Sequence, residues 1–116
     1  MTITRIGVGA RMSKAVVHNG VVYLAGQVAN KMAGQSVAEQ TREIVAIIDQ
    51  LLAEAGSDKT KMLSATIYLA DIKTFPEMNS VWDTWVAQGH TPARATVEAR
   101  LAAPQYTVEI AVIAAK

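Results

Sequence analysis

The stretch Ala15-Val16-Val17-His18-Asn19-Gly20-Val21-Val22-Tyr23-Leu24-Ala25 reads as two short apolar strands on either side of an Asn-Gly pair. Asn-Gly supplies the two positive-φ positions of a type I′ turn, whose twist matches that of the strands it joins. A hairpin is expected here, and the remaining elements must pack on it. Downstream, the polar, glycine-containing run from Gly26 to Gln35 reads as a loop, and Ser36 with Glu39 three residues later is a capping-box signature. Val37, Thr41, Ile44, Ile48, Leu51, Leu52 and Ala55 then recur at three- and four-residue steps, and Gly56 stands where a helix-ending glycine belongs. The spacing predicts one long helix covered on one side.

Met62 to Leu69 alternates, with Leu63, Ala65, Ile67 and Leu69 on one face and Met62, Ser64, Thr66 and Tyr68 on the other. Asp71 begins a turn. From about Phe75 to Gln88 the pattern is helical again, placing Phe75, Met78, Trp82, Trp85 and Val86 on one stripe before Gly89. Pro92 to Glu98 and Thr107 to Val112 alternate as strands, joined through Ala102-Ala103-Pro104-Gln105. The order strand-strand-helix-strand-helix-strand-strand leaves room for a short strand near Ile3 to Ile6. It predicts an α+β fold, a two-layer sandwich in which two helices cover one face of a mixed sheet. The uncovered face would carry Met62, Tyr68, Ala111 and Ile113 among polar residues. A monomer seldom leaves a large apolar patch in water, so an oligomer is expected.

The 116 residues fit a single domain, 1–116, and a chain of that length buries roughly two-thirds of its unfolded surface. With 51% hydrophobic residues and no cysteine, packing must hold the core, and a cysteine nucleophile or thiolate-bound metal is excluded. A formal charge of +1, with Lys and Arg scattered, argues against a nucleic-acid partner. No apolar run approaches the length of a membrane span, and Met1-Thr2-Ile3-Thr4-Arg5-Ile6 has no signal or transit pattern, so a cytoplasmic protein is expected.

Arg94 and Glu109 stand out on the last two strands, each opposite its strand's apolar residues. If those strands are neighbours, a permanently cationic fork and a carboxylate come into one cleft, suited to gripping an anion and positioning water. The same pattern fits a surface ion pair across two strands, worth about 0.5 kcal/mol. Asn79 lies beside the apolar stripe of the second helix, where an amide could equally satisfy a buried backbone group. His18, beside the Asn-Gly turn, and His90, after Gly89, have no partner at metal-ligand spacing and read as turn or cap residues. No metal site and no cofactor are expected.

With these residues in place the chain resembles the YjgF family, also called the Rid or reactive intermediate deaminase family. The resemblance spans nearly the whole chain. It is carried by Val22-Tyr23-Leu24-Ala25-Gly26-Gln27-Val28, Met78-Asn79-Ser80-Val81-Trp82, Pro92-Ala93-Arg94-Ala95-Thr96-Val97-Glu98 and Val108-Glu109-Ile110. Trp82-Asp83-Thr84-Trp85-Val86-Ala87-Gln88-Gly89-His90-Thr91-Pro92 and the shortened N-terminus are most similar to the YoaB-like branch.

The resemblance implies a chorismate-mutase-like fold assembled as a homotrimer, with clefts between subunits that take a small carboxylate-bearing substrate. It also implies hydrolysis of 2-imino acids or their enamine tautomers to 2-keto acids and ammonia. Arg94 would then hold the substrate carboxylate, Glu109 would orient the attacking water, and Gly26, Asn79 and Thr96 would line the cleft. Two cleft positions depart from the family pattern. Its Pro-Tyr-Ser-Gln is here Arg11-Met12-Ser13-Lys14, so Met12 replaces a tyrosine, and Ala25 replaces the serine before Gly-Gln. An imine carbon is already electrophilic, so such a reaction needs a held substrate, a placed water and proton transfers, without metal or covalent nucleophile. A carboxylate-binding or regulatory protein without turnover is the alternative, and an endoribonuclease is a third, opposed by weak charge, few aromatics and no catalytic histidine pair.

Overall fold

The computed structural model describes residues 2–116. Six strands and two helices follow in the order β1 (Ile3–Val8), β2 (Ser13–His18), β3 (Val21–Leu24), α1 (Val37–Glu54), β4 (Met62–Leu69), α2 (Phe75–Trp85), β5 (Ala93–Glu98) and β6 (Val108–Ala115). They build the expected α+β sandwich, one mixed sheet with strand order β1-β2-β3-β6-β4-β5. Only β4 and β5 run parallel, and α2 is the crossover that a parallel pair requires.

Local signals act as the sequence predicts. Asn19 and Gly20 take φ of 53° and 75°, closing the β2–β3 hairpin in the left-handed region. Ser36 Oγ accepts the Glu39 N–H at the start of α1. Gly56, at φ 81°, ends it, with Gly56 N–H donating to Ala53 O and Ser57 N–H to Leu52 O. Between these caps Ile44, Ile48, Leu51 and Leu52 bury the apolar stripe against Val22, Ile110, Val112 and the other inward residues of the sheet. α2 is tied alongside α1 at both ends. Glu77 Oε2 accepts the Ala38 N–H at 2.8 Å, and Trp85 Nε1 donates to Asp49 Oδ2 at 2.9 Å.

Four expectations need correction. β5 and β6 are not neighbours, because β6 pairs with β3 and β4 while β5 lies outside β4 at the sheet edge. The condition for a shared cleft is therefore not met: the crossover through α2 carries the chain to the outer side of β4, and β6 inserts between β3 and β4. A register shift between Met62 and Ser64 also breaks the alternation of β4. It turns Met62 into the core and leaves Leu63 51% exposed, the reverse of the period-two reading. α2 ends at Trp85 rather than near Gln88, since Val86 is already extended at φ −60°, ψ 140°. Finally, β1 runs the full Ile3–Val8 rather than the few residues foreseen.

The uncovered face of the sheet carries apolar residues among polar ones, as expected. Tyr23, Val97 and Ile113 are 45%, 44% and 37% exposed there, with Ala111 and Tyr68 half-buried beside them. Met62 is absent from that face for the reason given above. Among the described residues no helix is long and apolar enough to cross a membrane.

Candidate active site

Arg94 pairs with Ala65 in the β4–β5 ladder, and Ala65 is buried under the helices, so Arg94 projects from the helix-covered side. Its guanidinium there meets α2. Nη1 donates to Asn79 Oδ1 at 2.9 Å, and the guanidinium carbon stands 5.4 Å from the Trp82 ring and 5.6 Å from the Phe75 ring. Two aromatic contacts and one hydrogen bond hold the fork while leaving it exposed, with donors free for an anion. The Asn79 amide oxygen therefore serves Arg94 and not a buried backbone group. Thr96 follows on the same side of β5, opposite Ile67, and its buried Oγ1 has no hydrogen-bond partner among the described residues.

Glu109 lies on the other side. It stands opposite Tyr68 in the β4–β6 ladder, on the uncovered face. Gly26 is brought against it by the bridge between Gln27 and Ile110, whose N–H groups donate to each other's carbonyls at 2.9 and 3.1 Å. A methyl group at Gly26 would overlap Glu109 Oε2. Glycine is thus the residue that lets this carboxylate lie flat against the strand.

Glu109, Gly26 and Tyr68 line a cavity of about 400 Å³ together with Arg100, Leu101 and Ala111. A second cleft, also about 400 Å³, opens between the first hairpins and α1; Met12, Ala25 and Gly26 line it with Lys14 and Glu54. Gly26 borders both. Met12 is 65% exposed at the β1–β2 turn. Neither cavity includes Arg94, Asn79 or Thr96. Glu109 and Gly26 thus stand on the uncovered face and Arg94, Asn79 and Thr96 on the helix-covered side, while Met12 and Ala25 line the separate cleft beside α1. Within one chain Arg94 and Glu109 do not share a cleft. Among the described residues no three His, Asp or Glu side chains converge as a metal-binding group.

Sequence reasoning missed three residues around these groups. Gln40 is fully buried, with Nε2 donating to Gln35 O at 2.9 Å and Gln105 O at 3.0 Å and Oε1 accepting the Thr107 N–H at 3.1 Å. It fixes the entry to β6 two residues before Glu109. Its signal was a polar residue on the apolar stripe between Val37 and Ile44. Tyr68 was placed on the correct face but not joined to Glu109, and Arg100 sits in a loop where no periodicity applies.

The family model described as Endoribonuclease L-PSP matches residues 2–116. The RutC family protein YoaB of Escherichia coli is 47% identical over 115 residues, covering 99% of both chains. A rat 2-iminobutanoate/2-iminopropanoate deaminase is 32% identical over 107 residues, covering 88% of this chain and 77% of its own. Among solved structures, a YjgF-family protein from Neisseria meningitidis superposes with a TM-score of 0.97 at 52% identity, covering 100% of this chain and 96% of the other. With the family model matched over residues 2–116, YoaB 47% identical over nearly its whole length and the same fold in a YjgF-family structure, the chain belongs to the YjgF/RutC family, in its YoaB-like branch.

Proposed function

We propose that copies of this chain associate as a homotrimer through their uncovered sheet faces and complete, at each seam, a site that hydrolyses 2-imino acids to 2-keto acids and ammonia. One copy supplies Arg94, Asn79 and Thr96. Its neighbour supplies Glu109 and Gly26, with Met12 and Ala25 at the rim. The observation that supports this reading is the division itself: a guanidinium held by Asn79 and a carboxylate seated against Gly26, on opposite sides of one sheet. Apolar residues on the uncovered face supply the driving force for association.

In this site the Arg94 fork holds the substrate carboxylate in two parallel hydrogen bonds. Glu109 takes a proton from water as the water oxygen attacks the imine carbon, and the imine nitrogen gains a proton. The resulting carbinolamine collapses: its hydroxyl proton passes to the amine nitrogen, the carbon–nitrogen bond breaks as a carbon–oxygen double bond forms, and ammonia leaves. Binding and orientation carry most of the catalysis, because the carbon is already electrophilic.

The test generates imino acids in place with an amino-acid oxidase and follows keto-acid release with and without the protein. Wild type should accelerate release, while Arg94→Ala and Glu109→Gln should not, with the oligomer intact by sedimentation. Equal acceleration by Arg94→Ala, or a single chain in solution, would overturn the reading. Met12 and Ala25, which carry no hydroxyl, favour one alternative, a carboxylate-binding protein without turnover. Binding of a 2-keto acid that depends on Arg94, with no ammonia released from imino acids, would establish that alternative. The endoribonuclease reading has little support here: His18 is engaged with Thr2 O at a hairpin, and His90 follows Gly89 beyond α2.

A further inference from the structure

The loop after β5 brings a second arginine to Glu109. Ala99 N–H donates to Leu69 O at 2.9 Å, and Glu98 Oε2 accepts the Ile72 N–H at 3.0 Å. These bonds fold the chain over the end of β4, so that Ala99 to Ala102 border the uncovered face. The far end of the loop is pinned as well, because Gly34 N–H and Gln40 Nε2 both donate to Gln105 O, at 2.9 and 3.0 Å. Arg100 stands on this loop, which is anchored at both ends, and borders the cavity with its side chain exposed. The cavity that results holds one carboxylate, one guanidinium and one phenol, from Glu109, Arg100 and Tyr68, with Leu101 and Ala111 as its apolar wall.

We propose that this cavity receives the substrate's side chain, and that Arg100 selects side chains ending in a carboxylate, so that dicarboxylic 2-imino acids are the preferred class. The proposal rests on the deaminase reading above. A second carboxylate entering beside Glu109 meets like charge, which excludes it unless a cation stands in the same cavity. Arg100 is that cation, and its planar fork suits a carboxylate better than an apolar or hydroxylated side chain. Tyr68 adds a neutral donor directly opposite Glu109. Arg94 is committed to the α-carboxylate, so the two ends of a dicarboxylic substrate would be recognised by different arginines.

The experiment compares imino acids generated by oxidases from glutamate and aspartate with those from alanine and leucine, using wild type and Arg100→Met. Binding of 2-oxoglutarate and pyruvate is measured in parallel by calorimetry. Arg100 is exposed, and circular dichroism and sedimentation check that the variant keeps its fold and assembly. Wild type should favour the dicarboxylic substrates. In Arg100→Met the ratio of kcat/KM for dicarboxylic over neutral substrates should fall about tenfold to hundredfold, the loss of one charge-assisted contact. An unchanged ratio, or a wild-type preference for neutral substrates, overturns the proposal. Absence of turnover on every substrate defeats the deaminase reading instead. The pocket assignment then stands if 2-oxoglutarate binds more tightly than pyruvate in an Arg100-dependent way, and falls if it does not.

Discussion

Gly26→Ala separates the fold from the chemistry. A Cβ built at this position overlaps Glu109 Oε2 and stands 3.0 Å from Cδ and 3.2 Å from Cγ. The obstructing atoms belong to the end of a flexible side chain, so Glu109 yields before the backbone does. Gly26 is not among the positive-φ residues, so alanine meets no backbone strain of its own. The stability cost is that of forcing one side chain off its preferred rotamer, about 0.5–1.5 kcal/mol. For a chain of this size that is a fall in Tm of roughly 3–8 °C. On the deaminase reading the loss of rate should be larger, because clearing the new methyl displaces the carboxylate by about 1 Å, and a misplacement of that size costs on the order of a hundredfold in rate. Thermal unfolding at fixed protein concentration, and keto-acid release from oxidase-generated imino acids, measure the two effects separately. A folded Gly26→Ala protein with wild-type kcat/KM would refute the claim that the glycine positions Glu109 for the reaction.

Gln40→Leu should destabilise the protein by about 2–4 kcal/mol in a denaturant titration, since it removes three hydrogen bonds from a fully buried amide and leaves the Thr107 N–H without its acceptor; a change under about 0.5 kcal/mol, the range of an ordinary surface substitution, would contradict the assigned role. Glu43 makes a pH-dependent contribution. Partial burial raises its carboxyl pKa, but N–H groups of Met32, Lys31 and Asn30 and the charge of Lys31 outweigh that and hold it below 4.5. A depressed folded-state pKa means stability that is complete above the unfolded value and lost as pH falls through the folded one. Glu43→Gln should therefore cost about 1 kcal/mol at neutral pH, at the low end for charged hydrogen bonds because the carboxylate is partly solvated. The gap between the two proteins should close as pH falls below 4.5, and a gap constant across that range would show the ionised form has no special role.

The elements were legible because their causes are local. Asn19-Gly20 closes a hairpin by its own φ preferences, and Ser36 and Gly56 bound a helix through atoms within a few residues. The stripe from Val37 to Ala55 buries the same residues that its spacing indicates. Alternation failed where a single residue slips: nothing in Met62-Leu63-Ser64 announces the register shift that exchanges core for surface. Arg94 and Glu109 stood out by strand alternation and Asn79 by its place on a helix, Gly26, Thr96, Met12 and Ala25 came from family resemblance, and Arg100 lay in a loop outside any pattern.

Alternation assigned Arg94 and Glu109 to one side of their own strands, but it could not say which side of the sheet that was. β5 is an edge strand, and its apolar residues face the uncovered surface while Arg94 turns toward Trp82 and Asn79. β6 is central, and its apolar residues face the helices while Glu109 turns away. Strands and helices can be located from the residues alone, since turn chemistry and apolar period act among near neighbours in the chain. The placement of the two charges on opposite sides emerges with the assembled sheet, because strand order and facing depend on which apolar surfaces far apart in sequence are buried together.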